Sequence, residues 1–295
     1  MSEFKTYHPI VNFIYFAAVI ALSMLLMHPV CLAISVVCSV LCSIVFNGRK
    51  AVKFNLSVLL PLFILSAIFN PVFNHEGVTI LMYLPSKNPL TLESVIYGAA
   101  AAAMLISVIC WFSCYNSVMT SDKFVYLFGR IIPSMSLILS MVLRFVPRFK
   151  AQFREISNAQ RCLGRDISRG SIINRAKTAV TILSAMISWA LESSIETSNS
   201  MKSRGYGLKG RSAFSIYKFD NRDGFALLYI IFLTIYIIFA KFAGILRCSY
   251  FPSIIFDSKS ALSISVFIAY FMLGIMPVII EIREEVRWKA LRLKI

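Results

Sequence analysis

Few residues of this sequence have the type and spacing that chemistry requires. The seven cysteines form no CxxC pair and the three histidines are scattered, so neither a metal site nor a disulfide framework is indicated. An ordinary polar loop explains His75-Glu76 better than a loose metal site does. Glu192 and Glu196 form a carboxylate pair at helical spacing, which an exposed helix face explains better than acid–base catalysis. Walker-type, HExxH and GxSxG motifs are absent from the sequence.

The basic residues are more informative. From Arg144 to Arg222 the sequence has 15 Lys and Arg against 5 Asp and Glu, within a chain of formal net charge +16. Such a surface favours anionic lipid head groups, nucleic acid or an acidic protein face, although the positive-inside rule explains much of the excess. Because neither a nucleic-acid-binding fold nor aromatic–basic interleaving is recognised, no nucleic-acid partner is expected.

Arg204 stands at the end of a long helix-forming run, directly before Gly205 and close to Gly207, which stop the helix. On composition alone it is best explained as a last-turn cation that complements the helix dipole.

The elements that position these residues are predicted to be membrane helices. Apolar residues make up 58% of the 295 residues, and the mean hydropathy is +0.75. Because about 20 apolar residues cross the hydrocarbon, charge-free stretches predict six transmembrane helices near 10–27, 30–46, 56–72, 93–115, 224–245 and 260–281. These spans hold essentially no ionisable residue away from their ends, which argues against a proton- or ion-coupled pump. The expected fold class is an all-α integral membrane protein.

Lys and Arg fall on one set of loops and therefore predict the orientation. The positive-inside rule places both termini and the long central insert in the cytoplasm of a multi-pass protein of the cell membrane. The first span lacks a convincing cleavage site and is expected to be retained. The predicted parts are transmembrane helices 1–4 (1–115), a cytoplasmic insert (116–222), and helices 5–6 with a basic tail (223–295).

Pro and Gly residues divide the insert into three predicted helices. The first covers 122–130, and the second covers 133–164 with a bend at Pro147. The third covers 172–203, a stretch without Pro or Gly that would be about 48 Å long as a helix. Small side chains recur along it, which would let another helix cross at close range.

Three stretches of the insert resemble the transmembrane T component (EcfT/CbiQ-like) of energy-coupling factor (ECF) ABC transporters for vitamins and metal ions. Leu143-Arg144-Phe145-Val146-Pro147 is similar to that family's Leu-Arg-Phe-x-Pro stretch. Ala159-Gln160-Arg161-Cys162-Leu163-Gly164 resembles its Ala-Gln-Arg-Ala-Arg-Gly element. Ser200-Met201-Lys202-Ser203-Arg204-Gly205-Tyr206-Gly207 resembles its Ala-Met-Glu-Ala-Arg-Gly-Tyr/Phe-Gly element. The similarity covers about 116–215 well and the flanking spans in outline.

The resemblance implies that the insert contains two crossed coupling helices whose ends dock on a pair of ABC-type ATPases. At the second helix end the implied docking residues are Ser203, Arg204 and Gly205. At the first end Leu163 stands where the family has its docking Arg. Either a neighbouring Arg substitutes or that contact has become apolar. The residues implied for the first end are Arg161, Leu163, Gly164 and Arg165, and those implied for the bend are Arg144 and Pro147.

The resemblance also implies a function. The chain would transmit ATP-driven motion of two ATPases to a substrate-binding S component in the membrane, for uptake of a vitamin or a metal ion such as cobalt. It would hold no cofactor, and its partners would use the ATP. Two alternatives stay open: a membrane enzyme acting on an anionic lipid, and a non-transport adaptor for a cytoplasmic protein.

Overall fold

The computed structural model describes residues 3–74, 76–83, 89–129, 133–166, 171–208, 217–246, 248–256 and 261–292. Within them the helices are α1 (Pro9–Leu25), α2 (Pro29–Asn47), α3 (Arg49–Phe54), α4 (Leu60–Phe73), α5 (Leu92–Val118), α6 (Ser121–Gly129), α7 (Pro133–Cys162), α8 (Ile172–Ser203), α9 (Asn221–Phe242) and α10 (Ala261–Arg292). A 3-10 turn (Glu3–Thr6) precedes α1, and a π-helical turn (Asn55–Leu59) joins α3 to α4. Two short antiparallel hairpins pair β1 (Ile80–Tyr83) with β2 (Pro89–Thr91) and β3 (Cys248–Ser249) with β4 (Ile255–Phe256). The predicted all-α membrane protein is confirmed.

The chain divides into two compact units. The bundle unit comprises residues 1–124 and 217–295, and the two-helix unit comprises 125–216. The first contains α1–α5, α9 and α10, and the second contains α7 and α8. Each unit is described separately below.

An aromatic cluster forms the centre of the bundle unit. Trp111 of α5 and Tyr15 and Phe16 of α1 are fully buried, with their rings in edge-to-face contact. The indole Nε1 of Trp111 donates to Ser35 Oγ of α2 at 3.3 Å. Gly274 allows α10 to pass close to α2, because a Cβ atom there would lie 3.0 Å from the Cβ of Cys38. Small side chains thus let these helices approach, as in other membrane bundles.

Among the residues that the structure describes, six helical stretches are long and apolar enough to cross a membrane: Pro29–Asn47, Arg49–Phe73, Leu92–Val118, Ile172–Ser203, Asn221–Phe242 and Ala261–Trp288. Five of them cover predicted spans. The predicted first span is α1, a shorter apolar helix of 17 residues. The remaining stretch is α8, which was predicted to lie in the cytoplasm. Helix α8 is apolar enough to cross a membrane because apolar residues occupy two of its faces.

The π-helical turn between α3 and α4 has a local cause. Pro61 has no N–H, and its ring would clash with the carbonyl group four residues earlier in a regular α-helix. A wider turn at Asn55–Leu59 comes directly before it. The helical stretch therefore continues from Arg49 to Phe73, although Pro61 and Pro71 both lie inside it.

Helices α9 and α10 hold the N-terminal 3-10 turn through polar contacts. Glu281 Oε2 of α10 accepts a hydrogen bond from the backbone N–H of Glu3 at 2.9 Å. Arg222 at the start of α9 forms an ion pair with the Glu3 carboxylate, with nitrogen and oxygen 2.9 Å apart. The next residue, Asp223, accepts a hydrogen bond from the backbone N–H of His8 at 3.2 Å. The first residues of the bundle unit are thus fastened to its last two helices.

His28 caps the N-terminus of α2. Its Nδ1 accepts a hydrogen bond from the backbone N–H of Val30 at 3.3 Å, and its ring packs 5.1 Å from that of Phe267. The side chain is 2% exposed, and this burial lowers the pKa of His28 from its ordinary value of 6.5. The neutral form with Nδ1 as the acceptor is therefore the form that fits the fold.

Acidification is expected to lower the thermal stability of the detergent-solubilised chain through His28. Because the pKa is lowered in the folded state, its contribution is fully present above pH 6.5 and is lost as the pH falls towards the folded-state pKa. The variant His28→Asn keeps a good N-cap residue but does not titrate. Its melting temperature should decline less between about pH 7.5 and pH 5.5 than that of the wild type. Equal declines would show that other groups cause the acid sensitivity.

Candidate docking site at two helix ends

An aromatic contact joins α7 and α8 in the two-helix unit. Trp189 of α8 packs edge-on against Phe149 of α7, with ring centroids 5.3 Å apart and planes at 90°. The guanidinium carbon of Arg148 lies 5.3 Å from the centroid of the Trp189 ring, within cation–π range. Ile182, two turns earlier on the same side of α8, is fully buried. We call these contacts the Trp189 contact.

A Schellman motif built on Gly164 ends α7. The glycine has φ = +76°, in the left-handed region that favours glycine. Its N–H donates to the carbonyl of Arg161 at 3.0 Å, and the N–H of Arg165 donates to the carbonyl of Gln160 at 3.0 Å. These two hydrogen bonds define the motif. Leu163 is the residue directly before the glycine.

The end of α8 has the same geometry. Gly205 has φ = +79°, and its N–H donates to the carbonyl of Lys202 at 3.0 Å. The N–H of Tyr206 donates to the carbonyl of Met201 at 3.0 Å, which completes a second Schellman motif. Arg204 is the residue directly before the glycine.

The two motifs place Leu163 and Arg204 at equivalent positions. Leu163 is 70% exposed and Arg204 is also exposed, so both helix ends present their side chain to solvent. A Schellman motif also ends α9 at Gly244, where φ is +76°. A Schellman motif therefore ends a helix but does not by itself indicate a docking site. The side chain directly before the glycine must distinguish a docking helix end from other helix ends.

Contacts within the two-helix unit engage some of the other predicted docking residues. Arg161 Nε lies 3.5 Å from Asp166 Oδ2, so its charge has a partner in the fold. Ser203 Oγ donates to the carbonyl of Asn199 at 3.0 Å, within its own helix. Arg165 is exposed. The side chains of Arg204, Leu163 and Arg165 are thus more available to a partner protein than those of Arg161 and Ser203.

Arg144 and Pro147 are exposed residues in the middle of α7, distant in sequence from the two helix ends. The helix runs without interruption from Pro133 to Cys162, with Pro147 inside it. A proline removes one hydrogen bond and crowds the preceding turn, which commonly bends a helix. The bend at these residues stays a prediction.

Sequence reasoning missed a second apolar face of α8. Five large apolar side chains spaced three or four residues apart are each more than half exposed. At 100° per residue they lie on the side of the helix opposite Trp189. The spacing was visible in the sequence, but the burial of the other face was not. The residues are Val180, Leu183, Ile187, Leu191 and Ile195, and we call them the outer stripe.

Glu192 and Glu196, the carboxylate pair of the enzyme alternative, are exposed side chains on α8. Among the residues that the structure describes, no group of three or more His, Cys, Asp or Glu side chains could hold a metal ion. His75 lies outside the described residues.

Comparisons with known proteins agree with the resemblance. A family model described as "Cobalt transport protein" (CbiQ) matches residues 5–215. The energy-coupling factor transporter transmembrane protein EcfT of Lactobacillus helveticus is 37% identical over 103 residues, which cover 35% of this chain and 37% of that protein. The EcfT protein of Lactococcus lactis is 31% identical over 105 residues, which cover 35% of this chain and 40% of that protein. The chain thus spans well under half the length of these curated relatives.

Proposed function

Since the chain belongs to the CbiQ family of transport proteins, we propose that it is the transmembrane coupling subunit of an ECF-type ABC importer. The observation that carries the proposal is the pair of matching helix ends in the two-helix unit. One of them presents the exposed Arg204 directly before a positive-φ glycine. Relatives named as transmembrane proteins of energy-coupling factor transporters support the same assignment.

In this proposal two ABC-type ATPases bind the ends of α7 and α8. ATP binding brings the ATPases together and hydrolysis separates them, so the helix ends move relative to each other. The Trp189 contact is where one helix can pass that motion to the other. The chain itself binds no ATP and no cofactor, and its work is mechanical.

The outer stripe of α8 supports a second partner. An exposed apolar face of this length is unfavourable in water, and such a face marks an interaction with protein or lipid. We assign it to a substrate-binding S component in the membrane, which would carry the vitamin or metal ion. The insert at 116–222 would then lie between the cytoplasmic ATPases and that subunit, with both termini in the cytoplasm and the chain in the cell membrane.

Uptake assays with and without this chain test the proposal. Accumulation of radiolabelled vitamins and of cobalt or nickel ions would be measured in cells that lack the chain, and in the same cells with the chain restored. At least one substrate should enter only when the chain is present and ATP is available. If no tested uptake depends on the chain while ATPases still bind it, the non-transport adaptor becomes the better description.

A further inference from the structure

A polar cavity of about 400 Å³ lies between the end of α7 and the first half of α8. Residues after α7 and residues on α8 contribute to its lining, so it exists only because the two helices are folded together. The α7 side provides Arg165 and Asp166, and the α8 side provides Asn174, Lys177 and Thr181. Gly164 also lines the cavity, and it directly follows Leu163, the exposed residue at the position where the other helix end has arginine.

The lining of this cavity contains more positive than negative side chains. Asp166 is the acidic residue in the lining, and Arg161 pairs with it at 3.5 Å. Arg165 and Lys177 are exposed cations that form no ion pair with any residue in the described part of the chain. Two positive charges, one from the segment after α7 and one from α8, therefore line the cavity without an ion pair to any residue that the structure describes. Asn174 adds an amide group that can donate further hydrogen bonds.

We infer that the α7 end docks through this cavity, with Arg165 and Lys177 together receiving a carboxylate side chain from an ABC-type ATPase. This inference depends on the proposed function and specifies the chemistry of one of its contacts. The guanidinium group of Arg165 can bind both carboxylate oxygens, and Lys177 adds a point charge from the other side. Leu163 supplies an apolar contact next to the ion pair. The first helix end is thus a composite site in which α8 supplies the second cation.

Arg161 is a poorer candidate for the same role. Docking through Arg161 would require its ion pair with Asp166 to break, and that loss offsets the gain from binding a new carboxylate. Arg165 and Lys177 can bind an acidic partner without that loss. The ion pair between Arg161 and Asp166 also neutralises the carboxylate that would otherwise repel an incoming acidic side chain.

A titration of the purified full-length chain with the purified ATPase pair tests the inference. Arg165→Gln and Lys177→Gln should each weaken binding at least about tenfold, because each leaves the incoming carboxylate with one cation fewer. Arg154→Gln is the matched control, since it removes one exposed cation of α7 that lies outside the cavity lining. Its binding should stay within about threefold of the wild type. Lys177→Arg keeps both charges and should retain most of the affinity.

Photo-crosslinking identifies the occupant directly. With p-benzoylphenylalanine in place of Leu163, irradiation of native membranes should attach an ATPase to the chain. A lipid adduct without an ATPase adduct would overturn the inference in favour of an anionic membrane surface. Wild-type affinity in Arg165→Gln and Lys177→Gln would also overturn it, provided that Arg204→Glu still releases the ATPases. If Arg204→Glu has no effect either, the proposed function itself has failed.

Discussion

Replacing Arg204 by glutamate is expected to release the ABC-type ATPases from the chain, with binding at least about a hundredfold weaker. The side chain is exposed at the end of α8, and its backbone is held by the Schellman motif at Gly205. Reversing its charge removes the five-donor guanidinium group and places a carboxylate against the acidic or carbonyl groups of the ATPase surface. Co-purification in detergent, followed by titration with the purified ATPases, measures the effect.

Arg154→Glu is the matched control for this change. Arg154 is also exposed and basic, but it lies within α7, away from both helix ends. Its charge reversal should change ATPase binding by less than about threefold. Equal losses in the two variants would mean that general electrostatics of the basic surface, rather than the helix end, holds the ATPases. Unchanged binding in Arg204→Glu would remove the main support for the coupling function.

Trp189→Ala is expected to abolish substrate uptake while ATPase binding and ATP hydrolysis persist. The variant loses the edge-to-face contact with Phe149 and the cation–π contact with Arg148, each at 5.3 Å. Those two contacts contribute about 1–2.5 kcal/mol together. Both helix ends keep their Schellman motifs, because these form within each helix end. The helices would then move independently, and the motion of the ATPases would no longer be transmitted.

Parallel measurements on one reconstituted preparation separate the two activities. Trp189→Phe keeps an aromatic ring at the contact and should retain a large part of the uptake. If Trp189→Ala loses ATPase binding as well, the contact is needed for the fold of the two-helix unit and not for coupling alone. If uptake is unaffected, motion does not pass between the helices at this point.

Pro and Gly residues in the sequence predicted the bounds of α7 and α8 well. Pro133 begins α7 as expected, and the run without Pro or Gly from Ile172 to Ser203 is α8 itself. Gly164 and Gly205 end their helices in the way that a left-handed glycine predicts. The alignment of Leu163 with Arg204, which the resemblance implied, agrees with the hydrogen bonds of the two caps.

Features that depend on packing between helices were not predictable. Whether an apolar residue of α8 faces α7 or solvent depends on which side of the helix Trp189 occupies. The sequence alone does not indicate which face of α8 packs against α7. The cavity lined by Gly164 likewise needs Lys177, which is distant from Arg165 in the sequence but contributes to the same lining. The hairpins of β1–β2 and β3–β4 have too few residues for a clear alternating pattern.

The fastening of the N-terminal turn has a consequence for biogenesis. Glu3 leaves the ribosome long before its partners Arg222 and Glu281, which are 219 and 278 positions later. The contacts that fasten the N-terminal turn can therefore form only after most of the chain has been translated. Until then the carboxylate and the backbone N–H of Glu3 lack these partners. Retention of early helices by the insertion machinery, rather than sequential release, is the mode of assembly that suits this chain.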